Sequence, residues 1–158
     1  MGGLVICAVD DSRGARDAAR VAHELARRLD ERMLVVHVTQ VPVVAGASAV
    51  PHGRDDLREL AREDAEEVLA RVTEDSGCLD AEREIAFGEP AQALINRADS
   101  EQATMIVVGS RGRSALRAAL LGSVTLRLCR AAPCPVVVVP PGARLALRHP
   151  PEAARATG

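Results

Sequence analysis

Apolar positions along this chain follow two alternating patterns. Short uninterrupted runs occupy residues 3–9, 33–38, 105–108 and 136–139. Such runs are typical of strands that are covered on both faces, as in a parallel sheet. Residues 81–87 form a more polar run, which favours a strand at a sheet edge. The pattern therefore predicts five strands.

The stretches between these runs carry the 3.6-residue periodicity of amphipathic helices. Helices are expected after a cap at Asp11 or Ser12, over 55–75, from Pro90 onward and from about Ser123 to Ala131. The expected buried faces are Ala15, Ala18, Ala19, Ala22, Leu25, Ala26 and Leu29 in the first helix, Leu57, Leu60, Ala61, Asp64 or Ala65, Val68 and Val72 in the second, and Ala91, Leu94, Ile95 and Ala98 in the third. Since strands and helices alternate throughout, the sequence predicts one α/β domain with right-handed crossovers and a parallel sheet.

Two segments show neither pattern. Residues 39–53 contain prolines and glycines without a period, and we expect a long connection that is disordered rather than a functional lid. Residues 141–158 are also aperiodic and are expected to form a flexible C-terminal tail. The folded domain is therefore expected to span residues 1–140.

Composition excludes several classes of function. All 20 basic residues are arginine, and the absence of lysine excludes a P-loop and Schiff-base chemistry. A net charge of −2 provides no basic field for nucleic acid, and a single Phe without Trp or Tyr provides no stacking platform for bases. No apolar run approaches the roughly 18 residues of a membrane span. We therefore expect no nucleic-acid partner and no membrane association.

The cysteines indicate a reducing environment. Cys7, Cys78, Cys129 and Cys134 form no Cys-x-x-Cys motif, and no signal-peptide pattern precedes them. We expect them to be buried or half-buried thiols of a cytoplasmic protein rather than metal ligands or redox groups. No side chains are assigned to a metal.

The strongest candidate chemistry lies between residues 105 and 125. An apolar run stops at Gly109, Gly112 follows after two residues, and Gly122-Ser123 follows after nine more. Glycines allow backbone N–H groups to approach an anion, and Ser123 is a candidate cap for a helix whose N-terminus favours negative charge. Arg111 and Arg113 add two cations suited to phosphate. A strand-to-helix turn that needs glycine for tight packing is the simpler alternative, but the arginines and the second Gly-Ser favour a phosphate site.

The spacing Gly-x2-Gly-x9-Gly-Ser resembles the nucleotide loop of the universal stress protein family, in its ATP-binding branch. Gly109, Gly112, Gly122 and Ser123 match all four fixed positions, and the likeness extends over about residues 3–140. The resemblance implies a Rossmann-like, five-stranded parallel sheet in the order 3-2-1-4-5 with helices on both faces. In that order strands 1 and 4 form the switch point where open sheets bind ligands, with Asp10 beside Gly109.

The resemblance also implies individual roles in binding ATP, with Mg²⁺ as a candidate companion. Asp10 would contact ribose, although helix capping explains it equally well from the sequence alone. Asp11 departs from the small residue that the family commonly has there, and it adds negative charge near the site. Ala8, Val9 and Val38 would contact adenine, Val108 would supply a strand-end contact, and the phosphates would lie against Gly109, Arg111, Gly112, Arg113, Gly122, Ser123 and Val124. Val38 and Val108 are also plain core candidates.

Two other nucleotide or phosphate folds fail on specific residues. A phospho-receiver domain has an acidic pair where Asp10-Asp11 stand, but it also needs an aspartate after strand 3 and a lysine after strand 5. Here strand 3 ends Ala86-Phe87-Gly88, and lysine is missing. A dinucleotide dehydrogenase would have Gly-x-Gly-x-x-Gly after strand 1, where this chain has Asp-Asp-Ser-Arg-Gly-Ala.

The sequence favours ATP binding over ATP turnover. None of the four histidines, His23, His37, His52 and His149, lies in the glycine loop, so no catalytic base is evident. We interpret the chain as a cytoplasmic, nucleotide-dependent stress-response regulator whose regulated protein is unknown. A slow ATP-hydrolysing enzyme and a nucleotide-free adaptor are the alternatives. The apolar strand Val136–Val139 at a sheet edge predicts a homodimer.

Overall fold

The computed structural model describes residues 2–41, 53–112 and 121–146. The helices and strands in these ranges are β1 (Leu4–Val9), α1 (Arg13–Leu29), β2 (Arg32–Thr39), α2 (Gly53–Ser76), β3 (Glu82–Phe87), α3 (Pro90–Ser100), β4 (Met105–Gly109), α4 (Ser123–Ala131) and β5 (Val136–Val139). Each expected element is present, with bounds within a few residues of those the sequence predicts.

The strands form one parallel sheet in the order β3-β2-β1-β4-β5. This order confirms the predicted fold class. β1 is the central strand, and all six of its residues are buried. Val5 faces Met33 of β2 on one side and Met105 of β4 on the other. The carboxyl ends of β1 and β4 therefore lie side by side at one rim of the sheet.

Helices cover both faces of the sheet and enclose two separate cores. Val5 and Cys7 of β1 point into the core beneath α1 and α2. Ile6 and Ala8 point the other way, into the core beneath α3 and α4. Because successive side chains of a strand alternate between faces, each buried strand must be apolar along its whole length, as the sequence runs showed.

Two leucines that the periodicity places on buried faces are exposed. Leu29 is 47 % exposed because it is the last residue of α1, and the chain leaves the helix at Asp30 in a left-handed conformation. Leu60 is 57 % exposed because α2 packs through a stripe that includes Ala61, Ala65 and Val68. Leu69, which the sequence analysis did not assign to the face, is buried instead.

The segments beyond the regular elements are described only in part. Residues 42–52 of the expected long connection and 147–158 of the expected tail lie outside the described residues. The beginning of the tail lies against the α1 side of the sheet: Gly142 N–H donates to Asp17 Oδ2 at 2.9 Å, and Leu145 packs on that core. In the part of the chain that the structure describes, no helix is long and apolar enough to cross a membrane.

The four cysteines are free thiols in three different environments. Cys7 and Cys78 are fully buried, and burial raises the pKa of both, that of Cys78 to about 11. Cys134 is half-buried, and burial also raises its pKa. Cys129 is exposed on α4, so the expectation of burial is wrong for this residue. Its position on the outer face of a two-turn helix explains the difference.

Candidate functional site

A cleft opens at the carboxyl rim of the sheet, where β1 and β4 end. It lies between the turn into α1 and the N-terminal ends of α3 and α4. The lining residues are Ala8, Val9, Asp10, Ala15, Val36, Val38, Pro90, Leu94, Val108, Gly109, Gly112, Gly122, Ser123, Val124 and Thr125. The fold thus brings together residues from six helices and strands, some of them more than a hundred positions apart in the chain.

Ten of the twelve sequence-predicted site residues line this cleft. They are Ala8, Val9, Asp10, Val38, Val108, Gly109, Gly112, Gly122, Ser123 and Val124. Arg111 is half-buried in the loop after β4, and its side chain is not among the lining groups. Arg113 lies outside the described residues.

The inner wall of the cleft is aliphatic. Val38, Val108 and Val124 belong to the α3–α4 side of the sheet, where they adjoin Leu94 and Val36. Sequence reasoning missed Val36 and Leu94. The strand alternation offered a signal for Val36, because it stands two residues before Val38 and so points to the same face.

Asp10 is held in place by the turn that follows β1. Its Oδ1 accepts the Ser12 N–H at 3.0 Å, and Ser12 Oγ in turn accepts the Ala15 N–H at 3.1 Å. Ser12 is therefore the N-cap of α1, and the Asp10 carboxylate holds Ser12 in position through its N–H group. A Cβ built on Gly112 would lie 2.6 Å from Asp10 Oδ2, so the carboxylate lies directly against the glycine loop.

Three hydrogen bonds hold the ends of the glycine loop: two join one end to the other, and one ties the first end to β5. Ser110 N–H donates to Val139 O, and Gly122 N–H donates to Ser110 O, each at 2.9 Å. The buried Thr125 hydroxyl donates to Gly109 O at 2.9 Å. Thr125 was missed by sequence reasoning because nothing in the motif marks it. It joins the end of β4 to the first turn of α4, which fixes where the helix N-terminus points.

The glycines of the loop serve different purposes. A Cβ on Gly109 would lie 3.0 Å from Gly14 O and 3.1 Å from Gly14 C, so this glycine permits the close approach of α1. Gly122 has an ordinary extended conformation with φ −61° and ψ 152°, and among the described residues a Cβ there would meet no atom closer than Gly112 N at 3.6 Å. Close packing therefore explains Gly109, while neither backbone strain nor contact with the described residues explains glycine at 122.

Ser123 does not cap α4, contrary to the sequence expectation. Gly122 is the N-cap residue, and no side chain caps this end of the helix within the described residues. The reason is register: α4 begins at Ser123 itself, one residue earlier than a serine cap would require. Residues Ser123, Val124 and Thr125 of the first turn of α4 line the cleft, so the N–H groups at this helix start, which no described side chain caps, lie at its edge.

The charge of Asp11 is compensated by two arginines. Arg16 Nη2 of α1 lies 2.9 Å from Asp11 Oδ1, and Arg71 Nη1 of α2 lies 2.7 Å from Asp11 Oδ2. Arg16 Nε also contacts Asp75 Oδ2 at 2.7 Å, and hydrogen bonds to these two carboxylates raise the pKa of Arg16. The acidic residue that departs from the expected pattern is thus part of an ion-pair network.

α3 and α4 are tied to each other on their solvent-exposed side. Glu89 caps α3 by accepting the N–H groups of Ala91 and Gln92 at 3.2 and 2.8 Å. Its Oε2 also accepts from Arg127 Nη1 of α4 at 2.8 Å. The backbone N–H groups of Gln92 and Ala91, together with Arg127, hold the pKa of Glu89 below its ordinary value. The two helices that border the cleft are therefore held in a fixed relation.

Neither His23 nor His37 is among the residues that line the cleft, although His37 contacts the main chain of the lining residue Val9. His37 Nδ1 is 2.8 Å from Val9 O, and His23 Nε2 is 2.9 Å from Asp80 Oδ1. His52 and His149 lie outside the described residues. Over residues 2–41, 53–112 and 121–146, no group of three or more His, Cys, Asp or Glu side chains is arranged to hold a metal ion.

Comparison with known proteins points to one family. Residues 3–140 match the model of the Universal stress protein family. Universal stress protein YxiE of Bacillus subtilis is 32 % identical over 143 residues, which cover 85 % of this chain and 97 % of the relative.

Solved structures share the fold at lower identity. Universal stress protein UspA from Lactobacillus plantarum aligns with a TM-score of 0.71 and 22 % identity, covering 87 % of this chain and 97 % of that one. A universal stress protein in complex with cAMP aligns with a TM-score of 0.64 and 22 % identity, covering 87 % and 96 %. A universal stress protein family protein from Arabidopsis thaliana with AMP bound aligns with a TM-score of 0.61 and 21 % identity, covering 89 % and 93 %.

Proposed function

Because this chain belongs to the universal stress protein family, we propose that its rim cleft binds an adenine nucleotide, with ATP as the physiological ligand. The observation that carries the proposal is the convergence of three features on one cleft at the β1/β4 switch point: the loop glycines, Asp10, and the start of α4, which no side chain of the described residues caps. Fold relatives with cAMP and AMP bound support an adenine nucleotide as the ligand.

Each part of a nucleotide has a chemically suited partner in the cleft. The aliphatic wall that includes Val38 and Val108 suits the purine ring, since hydrophobic groups line most small-molecule sites. The Asp10 carboxylate is an acceptor for ribose hydroxyls. The N–H groups at the start of α4 and the absence of a side chain at Gly122 suit the phosphates. Mg²⁺ would accompany ATP mainly through its phosphates and water.

We further propose that nucleotide occupancy, rather than hydrolysis, is the functional output, in a cytoplasmic stress-response regulator. The cleft lining contains one carboxylate, Asp10, and no histidine, so a base for activating water has no evident source among the described residues. The buried, uncrosslinked Cys7 and Cys78 suit a reducing compartment. A nucleotide-free adaptor would have no use for an open phosphate cradle.

Analysis of bound nucleotide tests the proposal. Freshly purified protein is denatured, and the supernatant is examined by mass spectrometry for adenine nucleotides; we expect ATP or ADP near stoichiometry or complete exchange with added ATP. In parallel, the protein is incubated with ATP and Mg²⁺, and phosphate release is measured. Several turnovers per second would show that the protein is an ATPase and would contradict the regulator proposal. Failure to retain or exchange any nucleotide would refute the binding proposal.

We also propose a homodimer that forms through β5. This strand is an edge of the sheet, and Val136, Val137 and Val138 are only partly buried in a single chain. Pro135 and Pro140 flank the strand and restrict pairing to a short stretch, which suits a closed two-fold contact.

A further inference from the structure

The turn between β1 and α1 places two carboxylates in succession at the rim of the proposed nucleotide site. Asp10 lines the cleft, and Asp11 follows it directly. A polyphosphate bound at the start of α4 would carry several negative charges toward this turn. Asp11 without counter-charges would oppose those phosphates, and the opposition would grow with the number of phosphate charges.

The structure supplies the counter-charges from two different helices. Arg16 and Arg71 each donate to a different oxygen of the Asp11 carboxylate, at 2.9 and 2.7 Å. Asp11 is about one-quarter exposed, so its pairing is partly protected from solvent. Both oxygens are therefore neutralised by guanidinium groups, which stay charged at any physiological pH.

We propose that Arg71 is a specificity-determining residue, which lets the cleft accept ligands of high phosphate charge by neutralising Asp11 from α2. The inference rests on the proposed adenine nucleotide site and adds to it a residue that does not line the cleft. Arg71 acts through Asp11 and is a positioning and charge-compensating group rather than a ligand contact.

Arg71 is better suited than Arg16 for isolating this effect. Arg16 also donates to the main-chain carbonyls of Asp11 and Ser12, at 3.4 and 3.0 Å, so its removal would disturb the turn itself. The described ion pairs of Arg71 are with Asp11 and, at 3.7 Å, with Glu67 one turn earlier on α2. Arg71 is half-exposed on α2, so Arg71→Gln changes charge with little change in packing.

The test is a ligand series on four proteins. Nucleotide-stripped wild type, Arg71→Gln, Asp11→Asn and the double variant are titrated calorimetrically with adenosine, AMP, ADP and ATP at low ionic strength. Arg32→Gln is the matched control, since it removes an arginine that pairs with Glu82 at 2.8 Å at the opposite end of β2. Melting curves of each protein without ligand confirm that the fold is retained.

For Arg71→Gln we expect unchanged adenosine affinity and a loss that increases with phosphate number, reaching about threefold or more for ATP. The loss should fade at high salt, and Asp11→Asn in the double variant should restore ATP affinity to at least the wild-type level. The control should behave as wild type.

Three results would overturn the inference while leaving the proposed site intact: an equal loss for adenosine and ATP, no loss for any ligand, or a loss for ATP that Asp11→Asn does not rescue. The last result would mean that Arg71 touches the phosphates directly. Absence of binding to the wild-type protein would refute the proposed function, and the inference would fall with it.

Discussion

At the residue scale, one glycine of the loop is needed for packing, and another is explained by ligand binding. Gly109 is required by its contact with the Gly14 backbone, whereas a Cβ at Gly122 would make only ordinary contacts with the described residues, and the backbone conformation there is one that any residue adopts. The glycines of one sequence motif are therefore needed for different physical reasons. At Gly122, a bound phosphate would explain why the position has no side chain.

We expect Gly122→Val to lower ATP affinity at least tenfold, equivalent to about 1.4 kcal/mol, because its side chain intrudes on the phosphate approach. The melting temperature without nucleotide should change little. Gly109→Ala is the contrasting variant: its Cβ would press on main-chain atoms at 3.0 and 3.1 Å, and we expect a stability loss of about 1–3 kcal/mol. Calorimetric titration and thermal melting of both variants give the two quantities.

A large fall in the melting temperature of Gly122→Val, with unchanged affinity in the folded fraction, would show that this glycine is needed for packing after all. Ser123→Ala provides a milder comparison. Since Ser123 does not cap α4, its substitution should leave stability nearly unchanged and affect only a hydroxyl contact with ligand.

A second prediction at the residue scale concerns the Thr125 hydroxyl, which joins α4 to β4. Thr125→Val keeps the shape of the side chain but removes the buried hydroxyl that donates to Gly109 O. We expect a stability loss of about 1–3 kcal/mol and a weaker nucleotide affinity, because the start of α4 is no longer fixed to β4. Thr125→Ser retains the hydroxyl and should preserve affinity. Equal affinity of Thr125→Val and wild type would argue against this positioning role.

Sequence reasoning identified the site residues that a local motif or strand end marks. It found Asp10 and the glycines because turn chemistry after a strand is visible in the sequence. It missed Pro90 and Leu94, which reach the cleft only through the packing of α3. It also assigned a cap to Ser123, because a one-residue shift in helix register cannot be seen in composition.

At the element scale, the rim of the cleft depends on how α3 and α4 are joined. Glu89 performs two tasks, capping α3 and pairing with Arg127. We expect Glu89→Ala to destabilise the protein by about 1 kcal/mol at neutral pH. Thermal melting of the variant and of wild type measures the difference.

The stability difference between wild type and Glu89→Ala should depend on pH. Contacts with the N–H groups of Gln92 and Ala91 and with Arg127 lower the Glu89 pKa in the folded state below its ordinary value of 4.5. The stabilisation is therefore complete above the unfolded pKa and is lost as pH falls through the folded pKa. The melting temperatures of wild type and Glu89→Ala should converge below about pH 4.5. A difference that persists unchanged in acid would contradict this origin.

Element boundaries were well predicted because apolar runs and proline stops are strong local signals. Val136–Val139 and Ser123–Ala131 agree with the structure residue for residue. The prediction of which helix residues are buried was less accurate. Leu60 and Leu69 lie at the two margins of the α2 stripe, and only contact with the sheet decides which of them is buried.

At the scale of the whole molecule, strand alternation predicted an α/β sheet, while the strand order came from family likeness. Local patterns contain no information on which strand lies beside which. The order matters for function, because it alone brings Asp10 to Gly112 and leaves β5 at an edge. The ion pairs of Asp11 with α1 and α2 are equally non-local, so no sequence pattern indicated them.

The open edge of β5 provides a test of assembly. Pro135 and Val139 direct their carbonyls to β4, so the main-chain groups of Val138, between these positions, point outward. Val138→Pro would remove an outward N–H without breaking a bond to β4. We expect wild type to have a dimer mass by light scattering at tens of micromolar and Val138→Pro to shift toward monomer. A monomeric wild type would exclude the β5 dimer.

Calorimetric titration of nucleotide-free protein with ATP and Mg²⁺ tests the central claim most directly. The cleft at the β1/β4 switch point, with the start of α4 at its rim, predicts saturable binding of one ATP per chain, abolished or at least tenfold weakened in Gly122→Val. No heat of binding and no thermal stabilisation at millimolar ATP would contradict it.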